Sequence, residues 1–474
     1  MPAKAWVNME DRQSSPGSEF AVARRRGLPF IASPTTDEEP MIKIVQSNNR
    51  VAVDALLRPS AIRDQATEKK AARIVARVRD EGDVALREYA RALDGWAGAL
   101  EVPRRQIEAG AKKAPPKVRA ALKQAAQAIR AVAAAQRPKE WRVSPAGGVS
   151  VEQRVIPLER VGCYVPGGRY PLPSSLLMTA IPARVAGVPE VIVCSPSVDP
   201  VVMAAAVEAG ADRVFRLGGA HAVAAMAYGT KTVPKVSKIV GPGNRWVSAA
   251  KALVARDCPI DFYAGPTEIL IVADRGPAGW IAADLIAQAE HDPDARAVFI
   301  TSKTTLAHEV AEEVARQLPA SGPAATSLWN HGGIIVTKTM DEAVDLANKA
   351  ASEHLVVDTE ARAGRIRNAG AIFIGPWTAQ VAGDYAIGSN HTLPTAGVAR
   401  IRGGLHTADF VKLVSVQRVT KAGLAAIGDT VTTIARAEGL EGHARSIDVR
   451  RAPAVSAPAR VRPGRSAARK AAAR

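Results

Sequence analysis

Two side chains with metal-binding chemistry, Gln288 and His291, lie three positions apart near the end of a predicted helix, on the same face as Asp284. An imidazole nitrogen and an amide oxygen at this spacing can share one cation, and the free carbonyls at a helix C-terminus favour positive charge there. Asp384 and His443 are further candidate ligands, and nitrogen and oxygen donors without thiolates suit Zn²⁺ or a similar divalent ion. Spacing alone favours a simpler interpretation, in which the amide lies on the surface and the histidine caps the helix.

A carboxylate and an imidazole stand next to each other at Glu353 and His354, between a predicted helix and a predicted strand over 355–358. Such a pair can divide the work of acid–base catalysis, because one group can orient water while the other moves a proton near neutral pH. Another imidazole, His391, lies in a turn that Pro394 makes rigid. Taken in isolation, the Glu-His pair is more typical of a helix end in solvent.

Three glycine-containing loops each follow a predicted strand and precede a predicted helix, at 166–171, 218–219 and 241–244. Glycine lets backbone amides approach an anion, and the N-terminus of the next helix adds partial positive charge. Loops at the carboxyl ends of parallel strands converge on one crevice, so we expect a ligand there. The sequence contains neither a Gly-x-Gly-x-x-Gly pattern nor a Walker-type lysine loop, so a dinucleotide would bind by a different arrangement.

The elements that must position these residues alternate between strand and helix from about residue 155 onward. The predicted strands lie at 161–165, 190–194, 213–215, 239–240, near 260, near 270, 297–301, 333–336, 355–358 and 371–374. This alternation predicts parallel sheets joined by right-handed crossovers. Two such series indicate an α/β fold with two Rossmann-like, doubly wound lobes, preceded by N-terminal helices and followed by a C-terminal helical extension.

Changes in composition and pattern divide the chain into six predicted segments. They are a disordered N-terminal extension (1–40), a helical segment that packs on the body (41–150), a first α/β lobe with the glycine loops (151–260), a second α/β lobe with the metal and catalytic candidates (261–415), a C-terminal helical segment (416–450) and a disordered basic tail (451–474). The C-terminal helices either pack on their own body or reach a partner subunit. The tail has no large apolar residue beyond valine, so it cannot form a packed core.

The composition is that of a globular protein, with 474 residues of which 47% are hydrophobic and 23% are charged. Three scattered cysteines do not predict a disulfide framework, and the apolar core candidate Cys163 has no histidine nearby in sequence. No long apolar run or secretory signal occurs, so we expect a cytoplasmic protein without a membrane span. The net charge of +17 would attract polyanions non-specifically, but no motif indicates specific nucleic-acid binding.

Taken together, these motifs resemble those of the histidinol dehydrogenase family over about residues 41–450. The segments that carry the resemblance are, in order, 162–168 with 174–178, 218–225 with 228–230, 239–244, 264–268, 282–292, 353–355, 383–385 with 390–395, and 438–443. No single segment is specific, whereas their joint and ordered occurrence is. The resemblance therefore outweighs the simpler interpretations that each segment allows by itself.

The resemblance implies an enzyme that uses one Zn²⁺ per subunit and NAD to oxidise L-histidinol to L-histidine, through bound L-histidinaldehyde, in the last steps of histidine biosynthesis. His354 would be the general base for the alcohol, and Glu353 would activate water against the aldehyde. The metal ligands would be Gln288, His291, Asp384 and His443. The substrate-binding positions would be Thr267, Gln288, His291, His354, Asp384, His391, Glu438 and His443. The NAD contacts would be Tyr164, His221 and Asn244. The family forms homodimers in which the C-terminal segment completes the partner's site.

The chain departs from the family pattern at two of these positions. His221 stands where the family commonly has Gln, and Thr267 stands where Ser is commoner. An imidazole can still make one hydrogen bond, and threonine keeps the hydroxyl. Two alternatives follow: a related zinc- and NAD-dependent dehydrogenase that acts on another small polar alcohol, and a non-enzymatic polyanion-binding protein that uses the basic tail. The second is disfavoured because the body keeps every metal and proton-transfer residue.

Overall fold

The computed structural model describes residues 42–58, 64–167 and 171–452. These residues belong to one compact unit that starts at Ile42. Within this part of the chain, no helix is both long enough and apolar enough to cross a membrane. The predicted extension over 1–40 and the tail beyond residue 452 lie outside the described residues, so both stay predictions.

Short strands alternate with helices along most of the described chain. The strands are β1 (Ile44–Gln46), β2 (Glu101–Val102), β3 (Trp141–Ala146), β4 (Val149–Pro157), β5 (Arg160–Tyr164), β6 (Glu190–Cys194), β7 (Arg213–Phe215), β8 (Lys238–Val240), β9 (Glu268–Val272), β10 (Arg296–Thr301), β11 (Gly333–Val336), β12 (His354–Val357), β13 (Ala371–Ile374) and β14 (Val411–Val419). The helices are α1 (Arg50–Leu57), α2 (Gln65–Glu81), α3 (Asp83–Leu93), α4 (Arg104–Lys113), α5 (Pro116–Ala135), α6 (Pro173–Ala186), α7 (Pro200–Ala209), α8 (Gly219–Tyr228), α9 (Arg245–Val254), α10 (Ala278–Ala289), α11 (Thr304–Gln317), α12 (Pro323–His331), α13 (Met340–Ala350), α14 (Glu360–Ala363), α15 (Gln380–Tyr385), α16 (Lys421–Ala437) and α17 (Glu441–Arg451).

The first large sheet has five strands in the order β2-β7-β6-β5-β8. β5 to β8 run parallel, and the short β2 joins the edge antiparallel to β7. From β5 the chain moves outward through β6 to β7, and it then returns to β8 on the other side of β5. The gap between β5 and β8 is therefore the switch point, the place where doubly wound sheets bind ligands.

The second large sheet has six parallel strands in the order β1-β11-β10-β9-β12-β13. From β9 the chain moves through β10 to β11, and it then returns to β12 and β13 on the other side of β9. This sheet thus repeats the topology of the first one, with its switch point between β9 and β12. The N-terminal strand β1 extends the outer edge beyond β11.

Successive residues of the central strands are buried on opposite faces, as in a sheet covered on both sides. In β6, Val191 and Val193 pack in one apolar cluster, whereas Ile192 and Cys194 pack in another. The six-stranded sheet follows the same rule, with α10 and α11 on one face and α1 and α13 on the other. Helices therefore cover both faces of both sheets, which confirms the predicted α/β fold class with two doubly wound parallel sheets.

A third, antiparallel sheet in the order β14-β4-β3 was not expected from the sequence. β14 pairs with β4 along its whole length, from Val411 to Val419. Most side chains of β3 and β14 are exposed, so neither strand has the apolar run that marks a buried strand. The helical segment expected over 416–450 therefore begins inside a strand. Its helices α16 and α17 pack on each other and join at Gly439, whose φ of +76° suits glycine.

The strand expected near residue 260 is wrong. Ile260 forms only an isolated bridge with Ile239, beside β8. Pro259 precedes it, and proline has no N–H to extend a ladder of hydrogen bonds. The strand β1 lies where the residues after Met41 predict a short strand, whereas β2 was not expected in the helical segment over 41–150; each extends the edge of one parallel sheet.

Candidate active site

The side chains with candidate catalytic chemistry gather at the amino edge of the six-stranded sheet. Thr267 directly precedes β9, and Glu353 and His354 lie at the start of the neighbouring strand β12. The helix α10 runs back along the sheet and delivers Gln288 in its last turn, shortly before β10 begins. Parallel strands start at the same edge of a sheet, and this topology brings together residues that are distant in sequence.

The imidazole of His354 is buried, with 4% of the residue exposed, and it is held in one tautomer. Its Nδ1–H donates to the carbonyl oxygen of Glu268 at 3.2 Å, so Nε2 carries the lone pair. Nε2 has no hydrogen-bond partner among the described residues and lies 3.8 Å from Oδ1 of Asp384. Burial lowers the pKa of His354 to about 4, against the opposing effect of Asp384. The imidazole is therefore neutral near pH 7 and can accept a proton through Nε2.

Glu353, Thr267 and Gln288 form a chain of hydrogen bonds. The Gln288 amide donates through Nε2 to Thr267 Oγ1 at 2.5 Å, and the Thr267 hydroxyl donates in turn to Glu353 Oε2 at 2.5 Å. The backbone N–H of Glu268 donates to the same carboxyl oxygen at 2.9 Å. Burial raises the pKa of Glu353 well above its ordinary value, although both hydrogen bonds oppose the shift. A carboxyl group with a raised pKa is better suited to take a proton from water.

The same chain of hydrogen bonds orients the Gln288 amide. Because Nε2 is held by Thr267, the amide oxygen Oε1 faces the other way, and Oε1 is buried without a partner among the described residues. A buried amide oxygen without a donor destabilises a protein unless a ligand, an ion or water satisfies it. Gln288 therefore offers an atom that a metal ion or a substrate N–H would satisfy.

Asp384 lies on α15, which packs against α10. One turn earlier on this helix, the buried Gln380 donates through Nε2 to Asp384 Oδ2 at 3.0 Å. His391 donates through Nδ1–H to the backbone oxygen of Asp384 at 3.1 Å. A Cβ on Gly383 would lie 2.6 Å from the Phe373 ring, so glycine allows α15 to approach that ring. The same ring also flanks the imidazole of His354. These contacts fix the position of the Asp384 carboxylate.

His291 follows the last turn of α10 and is exposed. Its Nδ1–H faces the carbonyl oxygens of Ala287 and Gln288, at 3.2 and 3.3 Å. Charge on His291 would lower the pKa of both His354 and His391, so His291 lies close enough to both imidazoles to repel a proton on either of them. In each of the three, a backbone carbonyl accepts a hydrogen bond from Nδ1–H. Nε2 is therefore the nitrogen that can bind a metal or a proton.

Glu438 and His443 lie elsewhere in the described chain. Glu438 follows the last residue of α16, His443 lies in the first turn of α17, and both are exposed. No hydrogen bond or ion pair joins either side chain to the amino-edge residues in the part of the chain that the structure describes. Over the same residues, no three His, Cys, Asp or Glu side chains converge closely enough to hold a metal ion. Within the described residues of one chain, His443 therefore makes no hydrogen bond or ion pair with Gln288, His291 or Asp384.

The three expected NAD positions lie at the carboxyl edge of the five-stranded sheet. Tyr164 is the last residue of β5, and His221 lies in the first turn of α8, which follows β7. Asn244 lies between β8 and α9, and it caps α9 because its side-chain oxygen accepts hydrogen bonds from the first backbone N–H groups. The ends of β5 and β8 flank the switch point of this sheet.

The loop at Gly218-Gly219 does not present free amides to an anion. The N–H of Gly218 donates to Oδ2 of Asp94 at 2.9 Å, and the N–H of Gly219 donates to the hydroxyl of Tyr164 at 3.1 Å. Asp94 Oδ2 also lies 2.8 Å from Nε2 of the fully buried His221. The expected anion cradle is therefore wrong at this loop, because protein groups already occupy the amides and one of them is a carboxylate.

In the loop after β8 a carboxylate likewise binds a glycine amide. The N–H of Gly241 donates to Oδ2 of Asp261 at 2.8 Å, and the ammonium of Lys251 binds both Asp261 and the carbonyl oxygen of Gly241. Lys251 and Asp261 are buried, so this ion pair is part of the loop's structure. In this second loop the amide of Gly241 is thus already bound to a carboxylate, whereas the loop over 166–171 includes residues outside the described part of the chain.

Three supporting residues were missed from the sequence. They are Glu268, whose carbonyl anchors His354; Gln380, which orients Asp384; and Asp94, which binds His221. The helical spacing of Gln380 and Asp384 is a signal that the sequence contains. Asp94 has no such signal, because it precedes its partner by 127 residues.

Comparison with known proteins gives a consistent result. A family model described as histidinol dehydrogenase matches residues 57–451. The histidinol dehydrogenase of Halobacterium salinarum is 48% identical over 397 residues, which cover 81% of this chain and 93% of that protein. That of Methanosarcina mazei is 46% identical over 391 residues, covering 80% and 90%. The crystal structure of histidinol dehydrogenase from Elizabethkingia anophelis has 30% identity and a TM-score of 0.83, and the match covers 88% of this chain and 99% of that one. The chain therefore belongs to the histidinol dehydrogenase family.

Proposed function

We propose that this protein oxidises L-histidinol to L-histidine in two steps, with NAD as the hydride acceptor and a bound Zn²⁺, in the last steps of histidine biosynthesis. The observation that carries the proposal is the state of His354. Its Nδ1–H is anchored on a backbone carbonyl, and its Nε2, which lies 3.8 Å from Oδ1 of Asp384, is buried, unprotonated and without a hydrogen-bond partner among the described residues. Relatives named histidinol dehydrogenase, at 46–48% identity, support the choice of substrate.

Gln288, His291 and Asp384, together with His443 of the partner subunit, would hold the zinc ion. The donor chemistry fits, since the Oε1 atom of Gln288 is buried without a partner and the Nδ1–H of His291 faces carbonyl oxygens. Bound zinc would supply positive charge that anchors and aligns the amino alcohol. Thr267 keeps the amide oxygen of Gln288 turned toward the ion by holding its nitrogen.

In the first oxidation, His354 takes the proton of the substrate hydroxyl through Nε2 as hydride leaves the adjacent carbon. The low pKa of His354 keeps the imidazole neutral before this step. The Glu268 carbonyl continues to accept the Nδ1–H bond when the ring becomes charged. NAD, when bound, accepts the hydride in each oxidation.

In the second oxidation, Glu353 takes a proton from the water that adds to the bound aldehyde. The hydroxyl of Thr267 and the N–H of Glu268 hold one carboxyl oxygen and leave the other to face that water. The resulting hydrate loses its hydride while His354 again takes the hydroxyl proton. Retaining the aldehyde between the two steps protects a reactive intermediate from side reactions.

Tyr164, His221 and Asn244 would contact NAD at the carboxyl edge of the first sheet. With its Nε2–H directed at Asp94, His221 has a buried Nδ1 lone pair that lacks a donor among the described residues. A hydroxyl or amide N–H of the cofactor would satisfy this atom. Because carboxylates occupy the glycine amides, the phosphates of NAD would lie away from Gly218 and Gly241.

A homodimer with shared sites would supply the missing ligand. The third sheet and the C-terminal helices expose large apolar side chains, among them Trp141, Leu413, Ile434 and Val449. Exposed apolar surface of this kind is typical of a protein interface. His443 lies on the same C-terminal helices, so contact through this surface would carry it toward a second copy.

A stoichiometry measurement tests the proposed function. Zinc-loaded protein should convert each molecule of histidinol to one molecule of histidine, with two molecules of NADH formed. Chelation should abolish turnover, and added zinc should restore it. Turnover of only another small polar alcohol, or formation of a single NADH with release of the aldehyde, would contradict the proposal.

A further inference from the structure

A cavity of about 360 Å³ lies at the carboxyl edge of the six-stranded sheet, opposite the candidate active site. Its floor and walls come from the ends of β9 and β12, the residues that follow β13, and the first turns of α10. β9 and β12 flank the switch point of this sheet. The cavity therefore occupies the same topological position as the expected cofactor crevice in the five-stranded sheet, where doubly wound sheets bind their ligands.

The chemistry of the lining distinguishes this cavity from a phosphate site. Apolar side chains, including Ile271, Ile281 and Val356, cover much of its wall. Asp358 and Arg275 also line it. Arg362 pairs with the Asp358 carboxylate, and Nε of Arg275, whose side chain is mostly exposed, lies 3.8 Å from the same carboxylate. Asp284 has no hydrogen bond or ion pair with any described residue, and burial alone raises its pKa, to about 6. At neutral pH the cavity therefore contains one carboxylate whose charge has no counterpart.

One aromatic side chain lines the cavity, and a second aromatic ring packs against it. Trp280 lines it one turn before Asp284 on α10, and its residue surface is 45% exposed. The ring of Trp377, which is 86% exposed, lies 5.1 Å from that of Trp280 at an angle of 58°. Two tilted indole rings next to an unpaired carboxylate form the arrangement that proteins use to hold organic cations through ring faces and charge.

Asp284 was expected from its spacing to share a helix face with Gln288 and His291. The structure keeps Asp284 and Gln288 one turn apart on α10 but gives them different surroundings, because Asp284 lines the carboxyl-edge cavity whereas Gln288 bonds to Thr267 at the amino edge. The carboxylate is therefore available to a ligand other than the substrate of the active site.

We propose that this cavity binds a small planar organic cation, such as an aromatic amidine or a protonated aromatic amine. The ring lies against Trp280 and the apolar wall, and the cationic nitrogen donates to the carboxylate of Asp284. An anionic nucleotide is disfavoured because its phosphate would meet the unpaired carboxylate of Asp284, whereas the nearby cations Arg275 and Arg362 already lie next to Asp358.

Calorimetric titration with benzamidine and with benzamide tests the proposal, because the two probes have nearly the same shape and differ in charge. Zinc-loaded full-length protein should bind benzamidine at least about tenfold more tightly than benzamide. Asp284→Asn should remove this difference, and Trp280→Leu should weaken benzamidine binding about fivefold. Asp345→Asn, which removes an exposed carboxylate on α13, is the matched control and should change neither value.

Three results would overturn the proposal: equal binding of the two probes, unchanged benzamidine binding in Asp284→Asn, or tighter binding of adenosine monophosphate than of benzamidine. If Asp284→Asn does not fold, the affinities of benzamidine and benzamide for the natural chain and for Trp280→Leu decide whether the proposal holds. Because the readout is binding, loss of histidinol turnover and loss of this cavity's ligand are separate outcomes.

Discussion

The two parallel sheets of this protein share a topology but differ in how their polar groups are satisfied. At the carboxyl edge of the five-stranded sheet, carboxylates bind the loop amides and basic groups, as Asp94 does with His221 and Asp261 with Lys251. At the amino edge of the six-stranded sheet, the Nε2 atom of His354 and the Oε1 atom of Gln288 are buried without partners among the described residues.

This difference distinguishes polar groups that hold the fold together from polar groups that are available for binding or chemistry. Buried polar atoms are normally paired, so unpaired ones point to an ion or a ligand that completes them. In the five-stranded sheet carboxylates bind the amides of Gly218 and Gly241 before any cofactor arrives, and among the three expected NAD residues only His221 has a buried atom, Nδ1, without a partner among the described residues. In the six-stranded sheet the hydrogen bonds fix only one atom of each side chain, and they leave the other atom for chemistry.

The largest effect should follow from removing the base at the amino edge. His354→Asn keeps a side chain that can bond to the Glu268 carbonyl but lacks a nitrogen lone pair, so kcat should fall by about 10²- to 10⁴-fold. Steady-state assays with histidinol measure this loss. His308→Asn, on the exposed face of α11, is the matched control and should keep full activity. A loss below about tenfold in His354→Asn would rule out its role as base.

Glu353→Gln should separate the two oxidations. The amide keeps the size of the carboxyl but cannot take a proton from water, so oxidation of histidinaldehyde should slow by about 10²-fold and oxidation of histidinol much less. Single-turnover assays that start from each compound measure the two rates. Glu309→Gln on α11 serves as control, and equal slowing of both steps would contradict the role of Glu353.

Thr267→Val should affect metal binding through the orientation of Gln288. Valine has nearly the shape of threonine but cannot make either hydrogen bond, so zinc affinity should fall by about tenfold. Thr267→Ser keeps the hydroxyl and should behave as the natural chain. Competition with a chelator measures the affinity. Unchanged affinity in the valine variant would show that Thr267 does not orient the ligand.

A smaller effect is expected at the other sheet. Asp94→Asn weakens the contacts to His221 Nε2 and to the Gly218 amide, so KM for NAD should rise about fivefold while kcat stays unchanged. Assays over a range of NAD concentrations separate the two parameters. A fall in kcat with unchanged KM would place Asp94 in the chemistry instead of in cofactor binding.

The last prediction concerns stability and pH, and not activity, at the opposite edge of the six-stranded sheet. Burial raises the pKa of Asp284 to about 6, so the folded protein favours its neutral form. Stability from this group is present at low pH and is lost as pH rises through about 6, by up to about 3 kcal/mol. Asp284→Asn should therefore gain stability relative to the natural chain between pH 4 and 7 in urea unfolding. A constant difference across that range would contradict the shift.

The sequence predicted the buried parts of the fold well because apolar runs and turns mark them directly. The strands Glu190–Cys194 and Gly333–Val336 have the predicted bounds. The strands β3 and β14 escaped prediction because their side chains are exposed, and β14 pairs with the distant strand β4. The local periodicity of apolar residues cannot predict such pairing.

The candidate site shows the same limit. Glu353 and His354 were identified from adjacency and family resemblance, and the structure adds what those could not, namely which nitrogen of His354 is free. The tautomer depends on the backbone of Glu268 in a neighbouring strand. The backbone amides of Gly218 and Gly241 are bound by carboxylates from other segments of the chain. The glycine pattern alone suggested that these amides were free to bind an anion, and it could not reveal those carboxylates.

The central claim is that His354 acts at a site completed by His443 of the partner subunit, and mixing two inactive variants tests it most directly. His354→Asn and His443→Ala are each expected to be inactive. After subunit exchange in equal amounts, activity should return to about a quarter of the natural level, because half of the dimers are mixed and each mixed dimer has one intact site. No recovery, with mixed dimers confirmed by mass spectrometry, would contradict the claim.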